Sequence, residues 1–310
     1  MENFTFYKSL DIVNYDLFYK PNLSLDEMID IALNDPKVES FNTLGFFKDN
    51  NNLDLLVKDT WIKNDNDGIY IKKKKIVTLI TGKIYCEDKK ASSFFYQTID
   101  SYDNIDKSKY PIIISTWKDT PESIIAILKE KGFHIILSDS LSFLKIKECS
   151  INYQLHLIKE GLKYINENFK NENKIIFKTR LDIKANDHNL ILTYLEKYKK
   201  YEKLSTLQMI PLYQLFYTDH IFFGSDILMN KFYDIDYQDK YNNWYPERYL
   251  LEEYTRFKMP DFTTDMYNKI FNFVCFEFEK NGIELIWDRG ENCHKMIEIL
   301  CHNSMKLYNP

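Results

Sequence analysis

A chain of 310 residues is long enough for one large domain or two modest ones, and for a fully buried core. Its 45% hydrophobic and 28% charged residues are an ordinary globular composition, and a net charge of −5 without a clustered basic face excludes a dedicated nucleic-acid binder. The 23 Tyr and 22 Phe accompany abundant Asn, Ile and Lys, the signature of AT-rich coding, so they do not by themselves mark a sugar or base platform.

Cys86, Cys149, Cys275, Cys293 and Cys301 show neither a CxxC pair nor zinc spacing, which fits reduced thiols. The amino terminus lacks the basic start and apolar core of a signal peptide, and no window reaches the roughly 18 apolar residues of a membrane span. The sequence therefore predicts a soluble, cytoplasmic protein. The basic run Lys72 to Lys75 reads as the solvated lead-in to a strand, with a peripheral membrane contact as the other use of such charge.

Residues 1–75 read as a small α+β addition of unassigned role. Ser24-Leu-Asp-Glu27 is a capping box, and Met28, Ile31 and Ala32 supply an apolar face, so a short helix starts there and ends near Pro36. Ser40–Phe47 and Gly68–Lys72 read as strands around an Asn/Asp-rich loop. At Lys75 the character changes. Ile76-Val-Thr-Leu-Ile80 is a continuous β-branched run, the pattern of a strand covered on both faces. It ends at Thr81-Gly82-Lys83, where a Gly lets backbone N–H groups approach a phosphate or base and Lys83 adds charge. No GxGxxG or P-loop is present.

Pro111–Trp117 is a second buried strand. Thr120-Pro121-Glu122 opens a helix, with Thr120 as N-cap, that stops at Gly132, and Phe133–Asp139 is a third strand, which makes a βαβ unit and a parallel sheet. Ile151, Leu155, Ile158, Leu162 and Ile165 recur on one helix face, leaving Asn152, Gln154 and His156 for solvent or a cleft. In Lys174–Ile183 an apolar strand start is followed by Lys178, Arg180 and Asp182 at alternate positions, all on one side of an extended chain. Ligands of open α/β sheets bind at the carboxyl ends of strands, where Asp182 falls. A surface ion pair at the strand exit is the plainer alternative. Downstream, Asn189–Tyr201 reads as a helix. Phe216–Ser225 sets Asp219-His220 among aromatics before a Gly turn at Gly224, and Trp244–Leu250 opens a helix with Pro246 and Glu247 in its first turn. The tail carries His294 and His302. Without repeats or linkers, the organisation is residues 1–75 followed by one main domain over 76–310.

The ordered motifs Thr81-Gly82, Ser115-Thr-Trp117, Asn152-Tyr-Gln154, Lys178-Thr-Arg-Leu-Asp-Ile183, Thr218-Asp219-His220 through Gly224, and Pro246-Glu247 resemble the WavE-type family of lipopolysaccharide-synthesis glycosyltransferases. The resemblance runs from about Ile76 to about Leu250. Thr81-Gly82-Lys83 stands where the family tends to have Gln-Gly-Pro, which leaves the donor open. The resemblance implies a GT-A-like, Rossmann-like, mostly parallel sheet flanked by helices. It also implies sugar transfer from a nucleotide-sugar donor to a glycan or lipid-linked glycan acceptor, in lipopolysaccharide or capsule synthesis at the inner membrane face.

Such a reaction develops positive charge at the anomeric carbon and negative charge on the leaving phosphate. Sites of this type commonly use an Asp-held Mg²⁺ or Mn²⁺ there. Asp182 is the candidate for that metal or for a ribose hydrogen bond. Only one carboxylate stands where two are usual, so Arg180 and Lys178 neutralising phosphate directly is the alternative. Thr81, Gly82, Trp117, Gln154, Lys178, Arg180 and Asp182 are the donor-binding candidates. Asp219 and Glu247 are the candidates for the base that takes the acceptor's proton, with His220 beside them. A nucleotidyltransferase and a non-catalytic carbohydrate-binding protein are the competing readings.

Overall fold

A computed structural model describes residues 3–35, 37–49, 55–63, 66–87, 90–170, 174–198, 203–206, 209–212, 214–217, 221–238, 250, 253–254 and 269–287. The chain divides into two units, Met1–Lys75 with Phe169–Lys174, and Ile76–Asn168 with Ile175–Pro310.

In the smaller unit the capping box forms as its sequence requires. The Ser24 hydroxyl accepts from the Glu27 N–H at 3.3 Å, and the Glu27 carboxylate accepts from the Ser24 N–H at 2.7 Å. The helix Leu25–Asn34 then buries Met28 and Ala32 against Phe4, Phe41 and Phe47. Its sheet runs in the order Phe4–Lys8, Gly68–Lys72, Ser40–Asn42, Phe46–Lys48, Asp16–Tyr19, with antiparallel neighbours. Asp11 is buried but not bare: it accepts from Asn42 at 2.9 Å and from the Trp61 indole at 3.1 Å.

In the larger unit the strands are β1 (Lys75–Thr81), β2 (Ile112–Trp117), β3 (His134–Ser138), β4 (Lys174–Arg180), β5 (Leu204–Thr206), β6 (Phe222–Ser225) and β7 (Phe271–Phe273). They form one sheet in the order β3-β2-β1-β4-β6-β5-β7. β2 is parallel to both β1 and β3, and β5 to β7, whereas β6 runs antiparallel to β4 and β5. The carboxyl ends of β1 and β4 lie side by side, since the Leu181 N–H donates to the Thr81 carbonyl at 3.1 Å. The helices are α1 (Ser93–Asp100), α2 (Glu122–Glu130), α3 (Ser150–Asn168), α4 (His188–Lys197), α5 (Asp226–Tyr233) and α6 (Cys275–Lys280).

The alternation along each strand sorts the layers. Ile76 and Ile80 of β1, Ile112 and Ile114 of β2, and Ile175 and Phe177 of β4 share one core with residues of α1, α2, α4 and α6. The other face carries Leu79 and receives α3, whose predicted stripe of Ile151, Leu155, Ile158, Leu162 and Ile165 is buried. Gly161 sets how close that helix comes: a Cβ there would stand 2.9 Å from Leu79 Cδ2.

The structure corrects two details of the sequence reading. α2 starts at Glu122 with Pro121 in the cap position and no side-chain cap bond, and the Thr120 hydroxyl is buried without a partner among the described residues. Thr120 is therefore not the N-cap. Gly224 lies within β6 rather than in a turn; a Cβ there would meet Leu204 Cδ2 at 2.9 Å, so close strand packing is what it serves.

Candidate functional site

β1 lies where the strand order turns back on itself. β2 and β3 extend from it one way and β4 the other, and such reversals open a crevice outside the carboxyl ends. A cleft of about 1230 Å³ occupies that place. Four adjacent strand ends contribute to it: Thr81 and Gly82 from β1, Trp117 from β2, Ser138 from β3 and Arg180 from β4. α3 adds Tyr153, Gln154 and Leu157 along one wall.

The local chain explains why these groups arrive there. Gly82 has φ +148°, a conformation side-chain-bearing residues rarely adopt, and its N–H donates to the Ser115 carbonyl at 3.3 Å. β1 thus ends in a turn that only glycine accepts without strain. Trp117 is nearly buried; its ring stacks at 5.8 Å and 19° on His156, and meets Tyr153 edge-on at 5.4 Å. Burial holds the His156 imidazole below its usual value, despite the opposing pull of Glu160 and Asp139. Its Nδ1 is 2.9 Å from the Tyr237 hydroxyl, which leaves Trp117 braced from behind. The Tyr153 phenol is pushed above its ordinary value by burial and by its hydrogen bond to Glu148. The Ser138 hydroxyl is buried on the cleft without a partner among the described residues, so a ligand's polar edge has a group to satisfy.

Of the donor-binding residues expected from sequence, Thr81, Gly82, Trp117, Gln154 and Arg180 are brought together on this one cleft. Lys178 is not among its lining residues. It is fully buried two residues short of the end of β4, so it does not line the cleft beside Arg180. Asp182 lies just past the strand and is held by Arg180: Nε donates to Oδ1 at 2.8 Å and Nη2 to Oδ2 at 2.6 Å. Both carboxylate oxygens are thereby engaged. Among the described residues no group of three or more His, Cys, Asp or Glu stands together as metal ligands. A Mg²⁺ or Mn²⁺ ion on Asp182 would have to share its carboxylate oxygens with Arg180. Asp219, His220, Glu247, His294 and His302 lie outside the described residues.

The cleft also holds Tyr85, Lys118, Asp119, Asp139, Ser140, Phe143 and Glu148, which the sequence reading did not select, and Lys83, which it noted only as added charge. A signal for several was available. Lys118, Asp119 and Asp139 directly follow the carboxyl ends of β2 and β3, the positions such a crevice uses.

Asn152 and Lys159 of α3 take another role. Asn152 donates to the carbonyls of Lys147 at 2.9 Å and Gln238 at 3.0 Å, and accepts from the Gln238 N–H at 2.8 Å, while Lys159 donates to the Ile235 carbonyl at 2.5 Å. Residues 235–238 are thus strapped along the helix that walls the cleft. Among the described residues no helix is long and apolar enough to cross a membrane.

No family model and no curated protein matches the chain, so the WavE-type resemblance rests on its motifs alone. Similar solved structures include a cytidylyltransferase from Leptospira borgpetersenii serovar Hardjo-bovis, at 12% identity and TM-score 0.36 over 64% of this chain and 75% of that one. They include mouse xyloside xylosyltransferase 1 in its apo form, at 10% identity and TM-score 0.36 over 64% of this chain and 84% of that one. The glycosyltransferase GlyE of Streptococcus pneumoniae TIGR4 is similar at 15% identity and TM-score 0.37, over 64% of this chain and 47% of that one. TM-scores this low carry no argument about what the chain does.

Proposed function

We propose that the larger unit is a GT-A-type glycosyltransferase that moves a sugar from a nucleotide-sugar donor to a glycan or lipid-linked glycan acceptor in surface-polysaccharide assembly. The supporting observation is the cleft at the strand-order reversal, where a glycine-opened strand end, aromatic rings and the cations Lys83, Lys118 and Arg180 converge.

Each component answers a need of the reaction. The Gly82 turn lets backbone approach phosphate, and the three cations oppose the negative charge that collects on the leaving group. Trp117 and Tyr153 offer ring edges and faces to a base, and Gln154 and Ser138 offer hydrogen bonds to its edge. Asp182 fixes the Arg180 guanidinium in orientation. The acceptor's proton goes to Asp219 or Glu247, with His220 alongside, in this proposal.

Titration calorimetry of UDP, GDP, dTDP and CMP against the wild type and Arg180→Ala tests the reading. One nucleotide binding the wild type, and binding the variant at least about tenfold more weakly, supports it; a tenfold loss corresponds to about 1.4 kcal/mol. If no nucleotide binds while glycans do, the chain is a carbohydrate-binding protein and the transferase reading falls.

A further inference from the structure

We propose that one edge of the smaller unit's sheet is a homodimer interface, on which a second copy of this chain packs across a twofold axis. This contact does not depend on the reaction assigned to the larger unit.

The strand Asp16–Tyr19 ends the sheet order on one side, with Phe46–Lys48 as its neighbour. Backbone bonds clip it to that neighbour at both ends. The Asp49 N–H donates to the Tyr15 carbonyl at 3.1 Å, and the Lys20 N–H to the Gly45 carbonyl at 2.9 Å. Along this edge Val13, Tyr15, Leu17 and Tyr19, with Leu44 of the adjoining turn, are between 38% and 52% exposed. Elsewhere among the described residues no eight-residue stretch exposes more than two large apolar side chains. The opposite edge, Phe4–Lys8, exposes none. Folded chains guard their sheet edges with charge, so an apolar edge of this kind marks an interaction surface.

Register and charge select the occupant. Asp16 stands opposite Lys48 and Phe18 opposite Phe47, so Leu17 is an extra residue, a bulge in the edge strand. A bulge breaks the outer row of N–H and C=O groups, which works against an added strand and leaves the side chains to meet a folded surface. Residues 13–20 carry one acid, Asp16, and one base, Lys20, with Phe18 midway between them. The Lys20 ammonium lies 5.6 Å from the centre of the Phe18 ring. Two copies running antiparallel about a twofold axis at Phe18 set Asp16 of each opposite Lys20 of the other, and Leu17 opposite Tyr19. The segment is thus complementary to itself, as an isologous contact requires. Its zero net charge gives an anionic lipid surface no hold. Tyr19 is ordered in advance, because its ring stacks on Phe46 at 4.3 Å and 24°. The five exposed side chains present about 400 Å² per copy, so the contact buries roughly 800–1,000 Å², the size of a weak, reversible dimer with Kd on the order of 10–100 µM.

The test is sedimentation velocity on the full chain, from about 1 to about 300 µM, a range that brackets that Kd. The proteins are the wild type, Leu17→Lys, Lys20→Asp and the double variant Asp16→Asn/Lys20→Asp, with circular dichroism to verify folding. The wild type should pass from monomer to dimer over this range. Leu17→Lys should weaken association at least about tenfold. Lys20→Asp, which sets acid against acid across the axis, should weaken it about two- to fivefold, and adding Asp16→Asn should recover part of that loss. Lys20 is exposed, so its variant leaves the fold intact, and recovery by the second change is not expected of a merely structural role. A wild type that stays monomeric, association unaffected by Leu17→Lys, assembly that continues beyond the dimer, or a double variant no tighter than Lys20→Asp would each overturn the proposal. A monomer that binds soluble polysaccharide, with that binding lost in Tyr19→Ala, would overturn it as well and give the edge to a carbohydrate.

Discussion

The first residue of α4, His188, makes a sharp prediction about acid stability. Its ring stacks on Tyr102 at 3.6 Å, and both side chains line a void of about 10 Å³ closed by Thr78, Ile105, Ile112, Phe177, Ile191 and Leu192. Burial lowers the imidazole from 6.5 to about 3, and its Nε2 has no partner among the described residues. Tyr102, pushed up by the same burial, supplies no charge to offset it. The fold thus favours the neutral ring. That stabilisation is complete above the unfolded value near 6.5 and is lost as the pH falls toward about 3. At about 1.4 kcal/mol per pH unit, the loss is roughly 2 kcal/mol at pH 5 and 4–5 kcal/mol by pH 3. Carboxylates elsewhere add their own acid losses, so the measurement is a difference. Urea unfolding of the wild type and of His188→Phe, which keeps a ring against Tyr102, is compared at pH 7.5 and pH 5. The wild type should lose about 2 kcal/mol more than the variant over that interval. His188→Leu guards against the larger ring straining the core, because the pH dependence rather than the absolute stability is read. Parallel pH profiles, or an NMR titration placing the His188 transition near 6.5, would refute the reasoning.

Three substitutions probe the architecture of the cleft. Gly82→Ala should cost about 1–3 kcal/mol through backbone strain alone, since the added Cβ would sit at an ordinary 3.4 Å from Leu181 Cβ; thermal unfolding reads the cost and nucleotide titration the loss of binding. Gly161→Ala should cost about 1–3 kcal/mol by pressing α3 off Leu79, and should weaken ligand binding through Tyr153 and Gln154. The second change Leu79→Val should restore part of both, and simple additivity of the two would contradict the contact. Asn152→Ala should destabilise by about 1–3 kcal/mol and expose Ile235–Gln238 to proteolysis, because the Gln238 N–H and carbonyl lose their buried partner; an unchanged cleavage pattern would argue against the strap.

Where the sequence was legible, the physics was local. β1, β2 and β4 are continuous apolar runs, and the stripe on α3 repeats at helical spacing, so each could be read without knowing its neighbours. α1 was not. Its Ser93-Phe-Phe-Tyr start favours a strand by composition, yet Ser92 caps it and Phe95 and Ile99 find the core, so packing overrode propensity. β5 and β6 are three and four residues long, and the strands they pair with include β4 and β7, far away in sequence.

The cleft divides along the same line. Residues at strand ends could be named because topology delivers strand ends to one edge, which is how Thr81, Gly82, Trp117 and Arg180 came to stand together. Alternation then assigned Lys178 to the side of Arg180, which fixes direction but not depth. At about 3.3 Å per residue, Lys178 stands some 6.6 Å short of the edge, inside the layer rather than on it. Asp182 shows the converse limit. Two residues from Arg180, its carboxylate serves a metal if the turn aims it outward and an ion pair if the turn folds it back. That choice depends on the path of Leu181, whose N–H is bonded to the Thr81 carbonyl of a strand a hundred residues earlier. The pairing of β1 with β4 thus fixes the turn from which Asp182 meets Arg180 at the edge of the cleft.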